Sequence, residues 1–292
     1  MKPKTIYKSE AGKKKIQDSY ESYLKTFDVV FEREYVETRY GKTHTLVTGP
    51  KDGKPLFILQ GGNSVNPVTL SWFKNLLQDY RVYAPDTIGH PGFSEEVRIS
   101  AKDNSFANWL SDVMDHFKVE KSAFIGPSYG AGIILRLATY LPERIDCSIL
   151  VAPAGIKLGS KFDMIRKILL PLMAFNRTGS QASLNKIADV MSAGSMNERN
   201  KQIIGEVFKY VKLEQNMPKL TERKELINYK APTMVIMGEK DIFFPEKQVI
   251  NKARQIIPNL VSYHSYDMGH FPSEEMLEEI NREIKSFLNT HY

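Results

Sequence analysis

Gly126-Pro127-Ser128-Tyr129-Gly130 is the segment of this sequence whose spacing carries the most chemistry. It follows a strand-like apolar run, Lys121-Ser122-Ala123-Phe124-Ile125, and opens a helical pattern over 129–141. A G-x-S-x-G between strand and helix predicts a turn so tight that Ser128 takes a strained backbone, with Gly126 and Gly130 letting neighbouring elements approach. The hydroxyl then stands at a helix N-terminus, where the dipole and unpaired N–H groups favour a developing oxyanion. The backbone N–H of Tyr129 is the first such donor. A serine hydroxyl is a weak nucleophile, so it requires a base, and the base requires a carboxylate to orient it.

Six histidines are available as that base. His270 lies in Asp267-Met268-Gly269-His270-Phe271-Pro272, just past the last strand-like run, at the strand end where sites of open α/β sheets gather. His264 falls inside that run, His116 inside a helical pattern, His291 in the C-terminal tail, and His90 in a Gly/Pro loop that reads as structural. For the acid, Gly238-Glu239-Lys240-Asp241 follows the run TMVIM; Asp241 has the loop position and Glu239 is its neighbour in competition. The stretch after the run 147–151, Ala152-Pro153-Ala154-Gly155, offers no carboxylate. A second oxyanion donor is expected from the loop Gln60-Gly61-Gly62-Asn63-Ser64, with Gly62 and Asn63 both open as its source.

The elements that must position these residues are legible as alternating runs. A hairpin is expected over 34–40 and 43–48, turning at Gly41-Lys42. Short apolar runs at 56–60, 81–84, 121–125, 147–151, 233–237 and 260–266 alternate with helical patterns at 67–79, 105–117, 129–141, 246–256 and 273–289. Such alternation predicts an α/β fold with a mostly parallel central sheet and helices on both faces. The beat breaks between 155 and 229, which holds helical candidates at 162–175, 181–192 and 198–214 and five of the eleven methionines. The domain reading is therefore an N-terminal helical extension over 1–28, a core over 29–154 and 230–292, and a helical cap inserted at 155–229. The cap methionines read either as an adaptable pocket lining or as packing of the helices on themselves. Trp72 and Trp109 fall on helical patterns and read as packing residues.

Composition narrows the function classes. The lone cysteine, Cys147, excludes an internal disulfide and any cysteine-cluster metal site, and suits a reducing, cytoplasmic setting. It lies in a strand-like run and reads as inert. No apolar run approaches the ~20 residues of a membrane span, and the lysine-rich start is not followed by the apolar stretch of a secretory signal. No phosphate loop, metal-ligand spacing or nucleic-acid motif stands out, so neither a cofactor nor a nucleic-acid partner is expected, and oligomeric state is left open. The net charge is +6, with a surplus of four in residues 1–25 and six in 155–229. Those lysines and arginines read as solvated helix faces, with cap cations drawing anionic substrates as the sharper alternative.

With the serine, acid and histidine in that order, the chain resembles the α/β-hydrolase superfamily over about residues 30–290, and bacterial carboxylesterase-like members within it. The resemblance rests on Gly126–Gly130, Asp241, His270, the Gly61-Gly62 loop and Asp86-Thr87-Ile88-Gly89-His90-Pro91-Gly92-Phe93-Ser94, which is similar to the superfamily's D-x-x-G-x-G-x-S loop. It implies the α/β-hydrolase fold, a helical cap and a serine hydrolase acting on a small-molecule ester through an acyl-enzyme on Ser128. The same residues serve lactonases, thioesterases, C–C bond hydrolases, perhydrolases and triad-bearing receptors with little turnover. Two positions depart from the family pattern: Gln60 stands where histidine is common, and Pro127 precedes the serine.

Overall fold

The computed structural model describes residues 5–292, so the first four residues of the expected extension lie outside the described residues. The chain begins with helix α1 (Glu10–Leu24), capped by Ser9, whose side chain accepts from the Gly12 N–H. Strands β1 (Glu32–Thr38) and β2 (Gly41–Thr48) form an antiparallel hairpin. Its register pairs Thr38 with Gly41, so the turn is Arg39-Tyr40 and not the expected Gly41-Lys42. Thr38 explains the shift: its hydroxyl donates to the Gly41 carbonyl and accepts from the Tyr40 N–H, closing the turn two residues early.

β3 (Pro55–Ile58), α2 (Asn66–Ser71), β4 (Arg81–Pro85), α3 (Ser105–His116), β5 (Ser122–Pro127), α4 (Tyr129–Tyr140) and β6 (Ile145–Val151) follow. After β6 come helices only: α5 (Lys161–Met164), a π-helical turn (Ile165–Leu169) running on into α6 (Leu170–Thr178), then α7 (Gln181–Ser192) and α8 (Glu198–Tyr210). β7 (Thr233–Gly238), α9 (Glu246–Ile256), β8 (Leu260–Tyr266) and α10 (Glu274–His291) complete the chain. The eight strands lie in the order β1-β2-β4-β3-β5-β6-β7-β8. Only the β1–β2 and β2–β4 pairs are antiparallel; the others are parallel.

Strand alternation divides the buried side chains between two cores, one per face of the sheet. Leu56, Ile58, Ile125, Ile149 and Ile236 join the core packed by α1, α2, α7, α8 and α10. Phe57, Leu59, Phe124, Leu150 and Val235 join the one packed by α3, α4 and α9. β3 pairs with β4 on one side and β5 on the other, which makes the β3/β5 boundary the switch point of the parallel sheet. Crevices at the carboxyl ends of strands open at such a point.

The N-terminal segment is not a solvated appendage. Ile16 and Tyr20 of α1 are fully buried, and Ile6, Tyr7 and Tyr23 nearly so. Tyr7 bridges to Val211 just past α8, with Lys8 N–H donating to the Tyr210 carbonyl and Lys212 N–H to the Ile6 carbonyl. Lys13 and Lys15 pair with Glu96 and Glu206. These two lysines face the molecule's own acids, which the charge count of the segment alone did not reveal.

Candidate active site

Ser128 sits between β5 and α4 with φ 52° and ψ −114°, a region that side-chain-bearing residues rarely occupy. Three backbone hydrogen bonds hold it there. Its N–H donates to the Val151 carbonyl at 2.8 Å, and its carbonyl accepts from Gly132 N–H at 3.2 Å and Ala154 N–H at 3.1 Å. The flanking glycines are required by close approach. A Cβ on Gly126 would lie 2.6 Å from the Gly130 carbonyl carbon, and one on Gly130 would lie 2.5 Å from the Leu59 carbonyl oxygen. Pro127 ends β5 and forms part of the cavity wall beside Ser128.

Asp241 and His270 come from the loops after the adjacent strands β7 and β8. His270 Nδ1 lies 2.8 Å from Asp241 Oδ2, and both residues are buried. The other oxygen, Oδ1, accepts from the N–H groups of Phe243 at 2.8 Å and Phe244 at 3.2 Å. With both oxygens engaged, the carboxylate is fixed, and a carboxylate against Nδ1 favours the tautomer that leaves the Nε2 lone pair available. Phe243, Phe244 and Phe271 surround the imidazole, with ring centroids 4.8, 5.5 and 5.9 Å away. Glu239, the competing acid, is exposed. His264 lies 3.8 Å from Glu283 on α10, and His116 ends α3.

The loop after β3 is held from three directions. Gln60 is fully buried; its amide nitrogen donates to the carbonyls of Ser64 at 2.6 Å and Pro91 at 2.9 Å, and its amide oxygen accepts from Thr87 N–H at 2.7 Å. Gly61 N–H donates to Thr69 Oγ1 at 3.0 Å and is thereby occupied. Among the described residues no hydrogen bond engages the N–H of Gly62 or Asn63. Asn63 adopts φ 50°, and its side chain forms a two-way clasp with Glu214: Nδ2 donates to the Glu214 carbonyl at 3.0 Å and Oδ1 accepts from its N–H at 2.7 Å. Tyr129 opens α4, so its N–H is one of the helix's unpaired first-turn donors. Its hydroxyl donates to the Asn216 carbonyl at 3.2 Å.

Ser128, His270, Tyr129, Gly62 and Asn63 line one cavity of about 540 Å³. Its polar residues include Ser128, His270, Asn63 and Glu214. Its apolar walls come from Val68 and Trp72, from Met164, Ile168 and Leu172 of the helical run 161–178, from Met191, Phe208 and Met217, and from Phe243 and Phe271. Trp72 is thus a wall residue as well as a packing one, edge-on to Phe271 at 5.4 Å. Three of the five methionines of 155–229 reach the cavity. The Asn63–Glu214 clasp and the Gln60 tie were not foreseeable from spacing: Asn63 and Glu214 stand 151 residues apart, and a lone glutamine carries no signal beyond its place before the glycines.

The segment that resembles the superfamily's loop after the fourth strand surrounds a second, fully buried cluster. Asp86 accepts from Tyr20 Oη at 2.8 Å, lies 2.9 Å from His44 Nδ1 and accepts from Phe93 N–H at 2.8 Å. The loop holds two residues, His90 and Pro91, between its glycines, one more than the pattern it resembles. His90 is buried against the Tyr129 ring at 4.6 Å, and burial, with Arg98 adding to it, pulls its pKa down to about 3. Cys147 is buried in β6, and burial raises its thiol to about 12, which keeps it protonated and unreactive. Among the described residues no cluster of metal-ligating side chains occurs, and no helix is long and apolar enough to cross a membrane.

Comparison with known proteins agrees with this architecture. Residues 54–182 match the family described as alpha/beta hydrolase fold. An uncharacterized carboxylesterase, nap, of Bacillus subtilis (strain 168) is 27% identical over 93% of this chain and 91% of its own length. Carboxylesterase YbfK of the same organism is 26% identical over 92% of each. Among solved structures, naproxen esterase (carboxylesterase NP) from Bacillus subtilis superposes with a TM-score of 0.79 at 24% identity, covering 93% of this chain and 96% of that one. The eight-stranded sheet, the strand-end placement of the serine, acid and histidine, and these likenesses together show the α/β-hydrolase fold and a similarity to bacterial carboxylesterases.

Proposed function

We propose that this protein hydrolyses carboxylic esters by a serine mechanism, with Ser128 as nucleophile, His270 as general base and Asp241 as its orienting acid. The observation that carries the reading is that His270, held by Asp241 at 2.8 Å, opens with Ser128 into one apolar cavity. His270 Nε2 takes the Ser128 proton as Oγ attacks the ester carbonyl. The oxyanion is held by the Tyr129 N–H and by that of Gly62 or Asn63, and losing one such donor costs about 10²–10³ in kcat. Collapse of the tetrahedral intermediate breaks the ester C–O bond, and the imidazolium returns its proton to the departing alkoxide. Water, deprotonated by His270, then attacks the acyl-Ser128 ester, releasing the acid and restoring the hydroxyl.

The helices over 155–229 act in this reading as a cap, supplying Met164, Ile168, Leu172 and Met191 to the acyl-binding wall. Methionine side chains adapt to irregular apolar groups. The names of the relatives, carboxylesterase and naproxen esterase, support the same reaction class. The test is fluorophosphonate labelling followed by turnover on a series of p-nitrophenyl esters of increasing acyl length. The wild type labels and turns over; Ser128→Ala does neither while keeping its circular dichroism. Wild-type turnover by Ser128→Ala removes the nucleophile assignment, and labelling without sustained turnover points to a receptor-like protein instead.

A further inference from the structure

The helical run 161–178 is apolar on two sides. Met164, Ile168 and Leu172 line the cavity. Phe162, Ile165, Leu170 and Met173 point away from it, exposed by 71, 49, 54 and 67%. Leu158, just before the run, is exposed by 42%. Leu169 belongs to both sides: it lines the cavity and is 44% exposed. Of the fourteen large hydrophobic residues exposed among the described residues, these six fall within 158–173, and the other eight are scattered along the rest of the chain. Single exposed hydrophobics are ordinary, but a clustered apolar face marks an interaction surface.

The charges around the face say what it meets. Lys157, Lys161, Arg166, Lys167 and Arg177 are all exposed, against Asp163 alone, a surplus of four positive charges over 157–177. Arg166 lies over the Phe162 ring, 5.9 Å from its centroid, so a cation sits directly on the most exposed apolar side chain of this face. An apolar helix face rimmed by cations fits an anionic interface with an apolar layer beneath it.

We propose that the 158–173 face docks on an anionic phospholipid surface, with Phe162, Ile165, Leu170 and Met173 entering the headgroup–acyl boundary and the basic rim pairing with phosphates. Docking itself is independent of the hydrolytic chemistry. Its consequence for substrate rests on the esterase reading: Leu169 makes the outer face continuous with the cavity wall, so apolar esters dissolved in the lipid pass inward without crossing a polar rim.

Vesicle flotation tests this directly, comparing phosphatidylcholine with equimolar phosphatidylcholine/phosphatidylglycerol at ~0.1 M salt. Wild type and Ser128→Ala float with the anionic vesicles, which separates docking from catalysis. Phe162→Ser/Ile165→Ser/Met173→Ser weakens binding at least about tenfold. Lys161→Gln/Arg166→Gln/Lys167→Gln weakens it about fivefold for each charge removed, on anionic vesicles only. Both triple variants hydrolyse p-nitrophenyl acetate as wild type does. The proposal is overturned if wild type shows no preference for the anionic vesicles, or if the serine triple variant binds them as wild type does. It is equally overturned if wild type sediments as a dimer that the serine variant converts to monomer, since the face would then cover a second copy of the chain.

Discussion

Ser128 is held at φ 52° by hydrogen bonds to Val151, Gly132 and Ala154, none of which involves its side chain. The strain therefore belongs to the backbone, and its release depends on the Cβ alone. Backbone conformations of this kind cost about 1–3 kcal/mol for a non-glycine residue, offset in part by the roughly 0.5–1 kcal/mol that glycine loses in ordering. Ser128→Gly should thus stabilise the fold by about 1 kcal/mol, while Ser128→Ala, which keeps the Cβ, should not. Thermal unfolding of both variants checks this, and equal midpoints would mean the elbow is unstrained. In the proposed triad Asp241 acts on its neighbour rather than on substrate. In Asp241→Asn the amide oxygen continues to accept from Phe243 and Phe244, which leaves the amide nitrogen to donate to His270 Nδ1 and invert the tautomer. The expected loss is about 10⁴ in kcat with KM little changed, read from steady-state kinetics on a soluble ester. A variant within tenfold of wild type would remove Asp241 from the proposed triad. Ser128 was legible because its motif is local, five consecutive residues between a strand and a helix. Asp241 and His270 were legible by position, since each follows the end of an apolar run. Loop position already favoured Asp241 over Glu239, and the structure adds a physical contrast: one carboxylate faces solvent and the other receives two backbone N–H groups.

At the scale of elements, the loop carrying His270 is fastened to the inserted helices. Phe271 N–H donates to the Met191 carbonyl at 3.0 Å, and Gly269 lies so close to the end of α7 that a Cβ would stand 2.7 Å from both the Met191 carbonyl oxygen and the Ala193 nitrogen. Both obstacles are backbone, which cannot rotate away as a side chain can. Gly269→Ala should therefore separate α7 from the His270 loop, costing about 1–3 kcal/mol as overpacking does. Because the proposed base, His270, moves with its loop, kcat should fall more than KM rises; an unchanged kcat with normal stability would show that the two elements adjust independently. The loop after β3 has a comparable support in Gln60, whose three hydrogen bonds span Ser64, Thr87 and Pro91. This fits the substitution at a position where the family often has histidine: the side chain serves the turn from behind. The strands and most helices were readable from period and punctuation. Their fastenings were not, since each joins residues distant in sequence through a backbone carbonyl or amide, groups every residue possesses. The hairpin turn was misplaced for a related reason: glycine at Gly41 is a strong turn signal, yet a threonine hydroxyl three residues earlier closed the chain first.

The whole molecule is tied together by its N-terminal segment, which touches the 86–96 loop, through Tyr20 to Asp86 and Lys13 to Glu96, and the end of α8, through Tyr7 to Val211. An excess of lysine in residues 1–25 suggested solvent or a foreign anion. The buried stripe of Ile16, Tyr20 and Tyr23 lay in the same residues, but the aromatic and aliphatic positions were too few to show that the helix would be packed on two sides. Beneath this segment the 86–94 loop contains the group that should set the acid limit of the fold. His90 is buried, and neither ring nitrogen has a hydrogen-bond partner among the described residues. Desolvation, the larger cause, and Arg98 lower its pKa from 6.5 to about 3. Above the unfolded pKa the ring is neutral in both states and contributes no pH dependence. Below it the unfolded chain binds a proton that the folded chain refuses, so stability is lost as pH falls, by about 1.4 kcal/mol per pH unit from this group alone, until the folded pKa is reached. His90→Leu keeps a similar volume against Tyr129 and cannot titrate. Its urea midpoint should match wild type near pH 7.5 and exceed it increasingly between pH 6 and pH 4. Parallel midpoints across that range would mean that His90 gains its proton without unfolding, and the acid limit of the fold would then lie elsewhere.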